Sequence, residues 1–345
     1  MHTKLKILFP DWKNFGVDDI KDAFEKMGHE VIIYKTEPKN YRIDPRFKSE
    51  LKKYIRANEI TLMFTSNYFP VVADACHEVN IPYISWCYDS PLVLTFSKTV
   101  FYPTNFIFIF DSKMVADLQN LGVKQVFYMP MAVNPDRLNK LHTTSEQRKL
   151  IDADISFVGS LYSEKHTLYD RMTDLDDYTK GYIDGVMKAQ EQIYGISIVE
   201  DALTPEIIDA MYQKMPINIH EDDLETKSYV YANYFINRKI TQTERPILLK
   251  EISEALPQME AQVGRKLKPL KLYTHNPTPF LPKVENMGTI HYMKEMPLVF
   301  RHSKINLNIT LRSIINGIPL RAIDIMGAGG FLLTNYQNDF QYHFE

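Results

Sequence analysis

The sequence predicts an α/β protein with two parallel, doubly wound sheets and an all-helical insertion in the second. Three observations predict it. Short apolar runs alternate with helical periodicity over residues 1–135, a stretch of almost purely helical pattern occupies 164–266, and the strand–helix alternation then returns to 345. Strands joined through helices need crossover connections, which make the sheet parallel and cover both of its faces.

In the first half, LKILF at 5–9 reads as a buried strand and leads through a polar loop, 10–17, into a helix at 18–27. That helix places Ile20, Ala23, Phe24 and Met27 on one face, and Gly28 stops it. A strand at 31–34, a helix at 45–58 and a strand at 60–65 follow. The series then runs helix 71–79, strand 83–87, strand 106–110, helix 113–121 and strand 125–129. This is a Rossmann-like pattern.

The texture changes at Asp154. The run 155–158, ISFV, is a strand that ends in Gly159-Ser160. Candidate helices follow at 177–194, 205–214 and 227–255, the second opened by Thr204 as its cap and Pro205 in its first turn. The pattern then returns to strands at 270–274 and 288–292, a helix at 297–302, a strand at 305–310, a helix at 320–326 and a strand at 330–334. The expected domains are 1–149, a discontinuous 150–163 plus 267–345, and the insertion 164–266.

Length and composition agree with this division. A chain of 345 residues exceeds one ordinary core and suits two domains. With 45% hydrophobic and 24% charged residues it is a folded chain. Its formal charge of −3 creates no field that gathers nucleic acid or an anionic membrane. The local basic cluster Lys48, Lys52 and Lys53 reads as a solvated helix face. Cys76 and Cys87 are too few for a disulfide scaffold and lack metal-ligand spacing, which suits a reducing compartment. The N-terminus shows no signal-peptide pattern and no apolar run is long enough to span a bilayer, so the expected location is cytoplasmic.

Ligands of open α/β sheets bind outside the carboxyl ends of the strands. Gly159-Ser160 leaves such an end, where a backbone can approach a ligand closely and a hydroxyl can donate. The segment from Arg312-Ser313 through Asn316-Gly317 to Pro319 and Arg321 opens a helix, whose N-terminus favours an anion. Arg312 or Arg321 can add bidentate phosphate contacts, against the plainer reading of each as an ion pair. Asp324 follows Arg321 by one turn and can accept hydrogen bonds from a ribose diol, or simply pair with that arginine. Gly327, Gly329 and Gly330 allow a tight return from helix to strand. His275 follows a strand and can touch the same ligand.

On the first half, Asp89 and Asp11 each follow a parallel strand and are candidate catalytic bases. A turn role for Asp89, before Ser90-Pro91, is the structural alternative. The acidic pairs Asp18-Asp19, Asp176-Asp177 and Asp222-Asp223 read as caps and surface charge. The aromatic residues Tyr229, Tyr231, Tyr234 and Phe235 of the insertion read as core, with an acceptor or partner surface as the alternative.

Several segments together resemble one family. Lys304–Thr310 (KINLNIT), Gly317-Ile-Pro-Leu-Arg321, Asp324, 327–334 (GAGGFLLT) and Asp339-Phe340 resemble the C-terminal signature of bacterial GT-B glycosyltransferases, most closely the CgeB-like spore-maturation group. The segment 154–160 (DISFVGS) is similar to the opening of the donor domain there. Residues 23–31, 67–70 and 83–91 are similar to the accompanying N-terminal domain. The resemblance covers most of the chain except the insertion.

It implies two Rossmann-like domains facing across a cleft and metal-independent sugar transfer from a nucleotide-sugar co-substrate, with no cofactor, to a protein or glycan acceptor. By position, Gly159, Ser160, His275, Arg312, Ser313, Gly317, Arg321 and Asp324 would line the donor side. The family more often has glutamate where Asp324 stands, and its members continue past the position of Glu345, so a truncated C-terminus is expected. A non-catalytic sugar-nucleotide-binding scaffold and a GT-B-fold sugar-nucleotide epimerase are the alternative readings.

Overall fold

The computed structural model describes residues 4–12, 16–163, 167–220 and 223–344. Asp222 and Glu345 lie outside the described residues. The chain divides into two compact units, Met1–Met131 with Asn218–Thr226, and Ala132–Ile217 with Lys227–Glu345.

The first unit runs β1 (Lys6–Pro10), α1 (Val17–Lys26), β2 (Glu30–Tyr34), α2 (Pro45–Ala57), β3 (Leu62–Ser66), α3 (Pro70–Val79), β4 (Tyr83–Cys87), β5 (Asn105–Ile109), α4 (Ser112–Asn120) and β6 (Val126–Tyr128). All its strand pairs are parallel, in the order β2-β1-β3-β4-β5-β6. β3 is buried at every position, as a strand covered on both faces must be. Local signals set the helix ends. Asp44 caps α2 by accepting from the Phe47 N–H at 3.0 Å. Gly28, at φ 89°, ends α1 while the His29 N–H returns to Phe24 O at 3.0 Å.

The second unit opens with α5 (Pro135–Asn139) and α6 (Ser145–Ile151) and enters β7 (Ala153–Val158). Helices α7 (Asp177–Glu191), α8 (Val199–Ala202), α9 (Pro205–Lys214) and α10 (Lys227–Val230) follow. A π-helical turn, Tyr231–Ile236, then leads into α11 (Asn237–Val263). The chain returns through β8 (Leu270–Tyr273), β9 (Val284–Asn286), α12 (Met296–His302), β10 (Ser303–Asn308), α13 (Leu320–Gly327) and β11 (Leu332–Thr334). The sheet is parallel, in the order β11-β10-β7-β8-β9.

One face of this sheet buries Ile155, Phe157, Leu270, Leu272, Leu307 and Ile309 against Leu249 and Leu256 of α11. The other buries Val158 and Tyr273 against Met296, Val299, Phe300 and Ile325 of α12 and α13. The helices of the insertion build a separate cluster in which Tyr231 and Phe235 are core residues and Tyr234 packs against it.

Two expectations need correction. No strand forms at 288–292: the strand beside β8 is Val284–Asn286, and the ladder stops where Gly288 turns to φ 76° with its N–H on Asn286 Oδ1 at 2.9 Å. The helix expected at 227–255 continues to Val263 through Pro246 and Pro257, and the π-helical turn interrupts it after α10.

Two close approaches explain the glycines after Asp324. A Cβ on Gly327 would lie 2.4 Å from Val133 Cγ2, and one on Gly330 would lie 2.7 Å from both Phe300 O and Asn306 Nδ2. Gly330→Ala therefore forces backbone apart and is expected to cost roughly 1–3 kcal/mol, read as a lower urea midpoint with an unchanged slope.

At the amino end of the sheet, Asp154 accepts from Arg265 at 2.6 Å and from the Lys268 N–H at 2.8 Å, and pairs with Lys304 at 2.9 Å. The Arg265 hydrogen bond, more than any other contact, holds this carboxyl well below the usual range. A depressed folded-state pKa stabilises the fold above the unfolded carboxyl pKa of about 3.9, and that contribution disappears as pH falls through the folded value. The Asp154→Asn variant should be less stable than wild type at neutral pH, and the gap measured by urea unfolding should narrow below about pH 4.

Candidate functional site

In the second unit the chain winds from β7 through β8 to β9 on one side, then crosses back to lay β10 and β11 on the other. Neighbouring connections thus leave β7 and β10 in opposite directions. This reversal opens a crevice outside the carboxyl ends of those two strands, where ligands of open α/β sheets sit. Gly159-Ser160 leaves β7 there, and Ile309-Thr310 leaves β10.

The residue that fills this position was not singled out from the sequence. Arg245, on α11, is 8% exposed. Its Nε donates to Ile309 O at 3.0 Å, and its terminal nitrogens donate to Ile309 O and Ser160 O. The guanidinium lies 5.4 Å from the Phe157 ring centroid and 4.8 Å from that of Tyr162. Arg238 lies 4.9 Å from the same Tyr162 ring. Tyr162 holds a left-handed backbone, φ 55°, one step beyond the crevice. Among the described residues no carboxylate forms an ion pair with Arg245. Burial lowers its pKa, and the nearby Arg321 charge adds to that. A guanidinium buried on carbonyl dipoles and aromatic faces carries charge that an incoming anion would neutralise.

Arg321 occupies the first turn of α13. Its Nη1 donates to Asp324 Oδ2 at 3.3 Å and meets Met296 Sδ, and its guanidinium lies 5.7 Å from the Phe300 ring. Asp324, 8% exposed, also accepts from Tyr292 Oη at 3.0 Å. The ion pair read as the plainer alternative is thus present, on a buried face. Gly317 is buried in the turn before α13, and Ser160 Oγ accepts from the Tyr162 N–H at 2.9 Å. His275 is exposed just beyond β8. Its neighbour Thr274 is buried with an unpartnered hydroxyl.

Arg312 and Ser313 stand apart from this group. Arg312 donates to Glu244 Oε2 at 2.7 Å and to Ile193 O at 2.7 Å, reaches Glu191 O, and lies 3.8 Å from the Tyr194 ring. Ser313 Oγ donates to Asn233 O at 2.7 Å. Both side chains are committed to holding the insertion on the sheet. Sequence spacing marked Arg312 because it follows a strand. Arg245 carries no such mark, since it sits mid-helix some eighty residues beyond the loop it touches.

In the first unit the order reverses between β1 and β3. Asp11 follows β1 and donates its N–H to Tyr34 O at 3.0 Å, and Asp89 follows β4; both are exposed. The acidic pairs divide. Asp18 and Asp19 lie in the first turn of α1, Asp176 caps α7 through the Thr179 N–H at 2.9 Å, and Asp177 follows it. Asp223 is instead largely buried and paired with Arg42, which also reaches Glu225. Among the described residues no group of three or more His, Cys, Asp or Glu is placed to hold a metal ion, and no helix is long and apolar enough to cross a membrane.

No protein-family model matches the chain, and no curated protein does. Among solved structures it is similar to a glycosyltransferase from Rickettsia africae, at 10% identity and a TM-score of 0.45, over 100% of this chain and 83% of that one. It is also similar to Anabaena HepE in complex with UDP-glucose, at 10% identity and a TM-score of 0.46, over 99% and 83%. A Listeria monocytogenes protein provisionally assigned as a UDP-N-acetylglucosamine 2-epimerase is similar at 10% identity and a TM-score of 0.42, over 98% and 82%.

The Arg312–Glu244 pair yields a prediction of its own. Arg312→Ala leaves a largely buried carboxylate without its partner and is expected to cost about 3–5 kcal/mol in chemical denaturation.

Proposed function

We propose that the chain is a glycosyltransferase that moves a hexose-like unit from a nucleotide sugar to a protein or cell-surface acceptor, without a metal. The observation that carries this reading is Arg245, a buried cation in the switch-point crevice that donates to the Ser160 and Ile309 carbonyls and, among the described residues, forms no ion pair with a carboxylate. Arg321, whose charge acts on Arg245, and the N-terminus of α13 would add a second guanidinium and a helix dipole to the same ligand. A diphosphate is the ligand that this arrangement suits. The C-terminal sequence resemblance supports the same conclusion.

In the reaction, the bond from the anomeric carbon to the diphosphate oxygen breaks and its electron pair stays on that oxygen. Arg245 and Arg321 stabilise the departing charge, which is where preorganised donors act most strongly. The acceptor oxygen bonds to the anomeric carbon and gives its proton to a carboxylate. Asp89 is the proposed base, with Asp11 the second candidate. Asp324 takes the ribose diol, and Gly159 permits close approach of the phosphates. Ser160, Gly317 and His275 complete the donor side.

A thermal-shift and calorimetric screen against nucleoside diphosphates and their sugars tests the reading. One nucleotide should stabilise the protein selectively, by about 2.7 kcal/mol at a hundredfold excess over Kd. Arg321→Ala and Arg245→Lys should each weaken that effect. Lack of response to every nucleotide would overturn the proposal.

A further inference from the structure

The first unit carries a second polar arrangement, at the carboxyl ends of β3 and β4. Asn67 follows β3 with φ 73°, a left-handed backbone that asparagine tolerates better than most residues. Every polar group it owns is engaged. Its N–H donates to Trp86 O at 2.9 Å, and its C=O accepts from Thr65 Oγ1 at 2.6 Å. Its Oδ1 accepts from the N–H groups of Tyr88 and Asp89 at 2.8 and 3.1 Å. Its Nδ2 donates to Asp89 Oδ2 at 2.7 Å.

The same loop is tied at its far side. Ser90 Oγ donates to Asp111 Oδ2 at 2.9 Å, and Asp111, 1% exposed, caps α4 through the Lys113 N–H at 3.1 Å. Residues 88–90 are thus held between two side-chain anchors, one of which grips the carboxylate itself. Titratable groups in this arrangement include Cys87, whose thiol is pushed up to about 12 by burial and then by Asp89, and Asp111, which Ser90 contacts.

We propose that Asn67 is a positioning residue for the Asp89 carboxylate. It fixes both the loop and the rotamer, and it keeps the carboxylate in its ionised, proton-accepting form. The inference rests on the reading of Asp89 as the acceptor-side base. A loop needed only for folding would require the hydrogen bonds to the backbone N–H groups. The additional donation to a solvent-exposed carboxylate is what a base held ready for a proton requires.

Two variants separate these roles. Asn67→Gly keeps the left-handed backbone and removes the carboxamide. Asn67→Asp keeps acceptors for the two N–H groups but replaces the donor with a like charge. Carboxyl 13C titration of Asp89 in the full chain, assigned with Asp89→Asn, should give midpoints that rise from wild type to Asn67→Gly to Asn67→Asp. In turnover assays the acid limb of the pH–rate profile should move upward in the same order, and kcat should fall about tenfold or more at fixed pH. Nucleotide stabilisation, a property of the other unit, should be unchanged. An Asp89 midpoint identical in wild type and both variants overturns the inference, and if nucleotides still bind, the transferase reading stands without it. A titration that shifts as expected with no nucleotide bound leaves the positioning intact and removes the reaction.

Discussion

A guanidinium held at the carboxyl ends of β7 and β10 joins the parts of the second unit that chain topology leaves apart. Where the strand order reverses, the connections depart in opposite directions and no backbone spans the gap. Arg245 spans it from the side, with Ser160 O and Ile309 O as its acceptors. Burying that charge is costly, and carbonyl dipoles and ring faces offset only part of the cost. This contact, together with Leu249 and Leu256 packed on the sheet, seats α11 and with it the insertion. Arg312 and Ser313 fasten the insertion a turn further on, and Arg312 N–H donates to Thr241 Oγ1 at 2.9 Å. The insertion is therefore braced on the crevice and supplies part of it.

The two units use one physical scheme. Each sheet is parallel and covered on both faces, so its strands are apolar and its polar chemistry collects at one edge. In the first unit that edge carries Asp11, Asn67 and Asp89. In the second it carries Gly159, Ser160, Arg245 and the α13 terminus. Some buried polar residues inside are satisfied pairwise, as in Ser156 Oγ with Asn306 Oδ1 at 2.9 Å and Asn308 Nδ2 with Thr334 Oγ1 at 2.8 Å, while Ser66 and Thr274 keep hydroxyls without a partner. Asn306 also donates to Phe300 O at 3.0 Å, the contact that leaves no room for a Cβ at position 330. Packing of the last strand and polar satisfaction are thus one constraint.

These features explain what could be read from the sequence. Strands such as 155–158 and 83–87 were legible because apolar runs bounded by turn residues have few other readings. Thr204-Pro205 and Gly28 were legible as helix boundaries because caps are local. The strand at 284–286 was missed because only three residues pair and two of them, Glu285 and Asn286, are polar. The split of the arginines was hidden for a different reason. Which of Arg245 and Arg312 faces the crevice depends on how α11 lies across the sheet, and the π-helical turn at 231–236 sets the register of that helix. Asn67 is legible in the sequence only as part of the resembling segment 67–70; its left-handed backbone and its grip on Asp89 depend on β4 lying beside β3.

Asp324 brings these arguments together. A carboxylate one methylene shorter than glutamate must be held further forward to reach the ribose proposed for it. Tyr292 holds one oxygen at 3.0 Å, while the contact of Arg321 with the other is longer, at 3.3 Å. A long ion-pair contact on a partly open arginine contributes little. On the proposed function, exchanging it for a ribose hydroxyl would free Arg321 to turn toward a diphosphate, so the two halves of a nucleotide would replace one weak internal pair. An arriving anion would then offset the like charges of Arg321 and Arg245, which already act on each other. On this reading the site binds its ligand by resolving a charge arrangement that the unliganded fold holds at some cost.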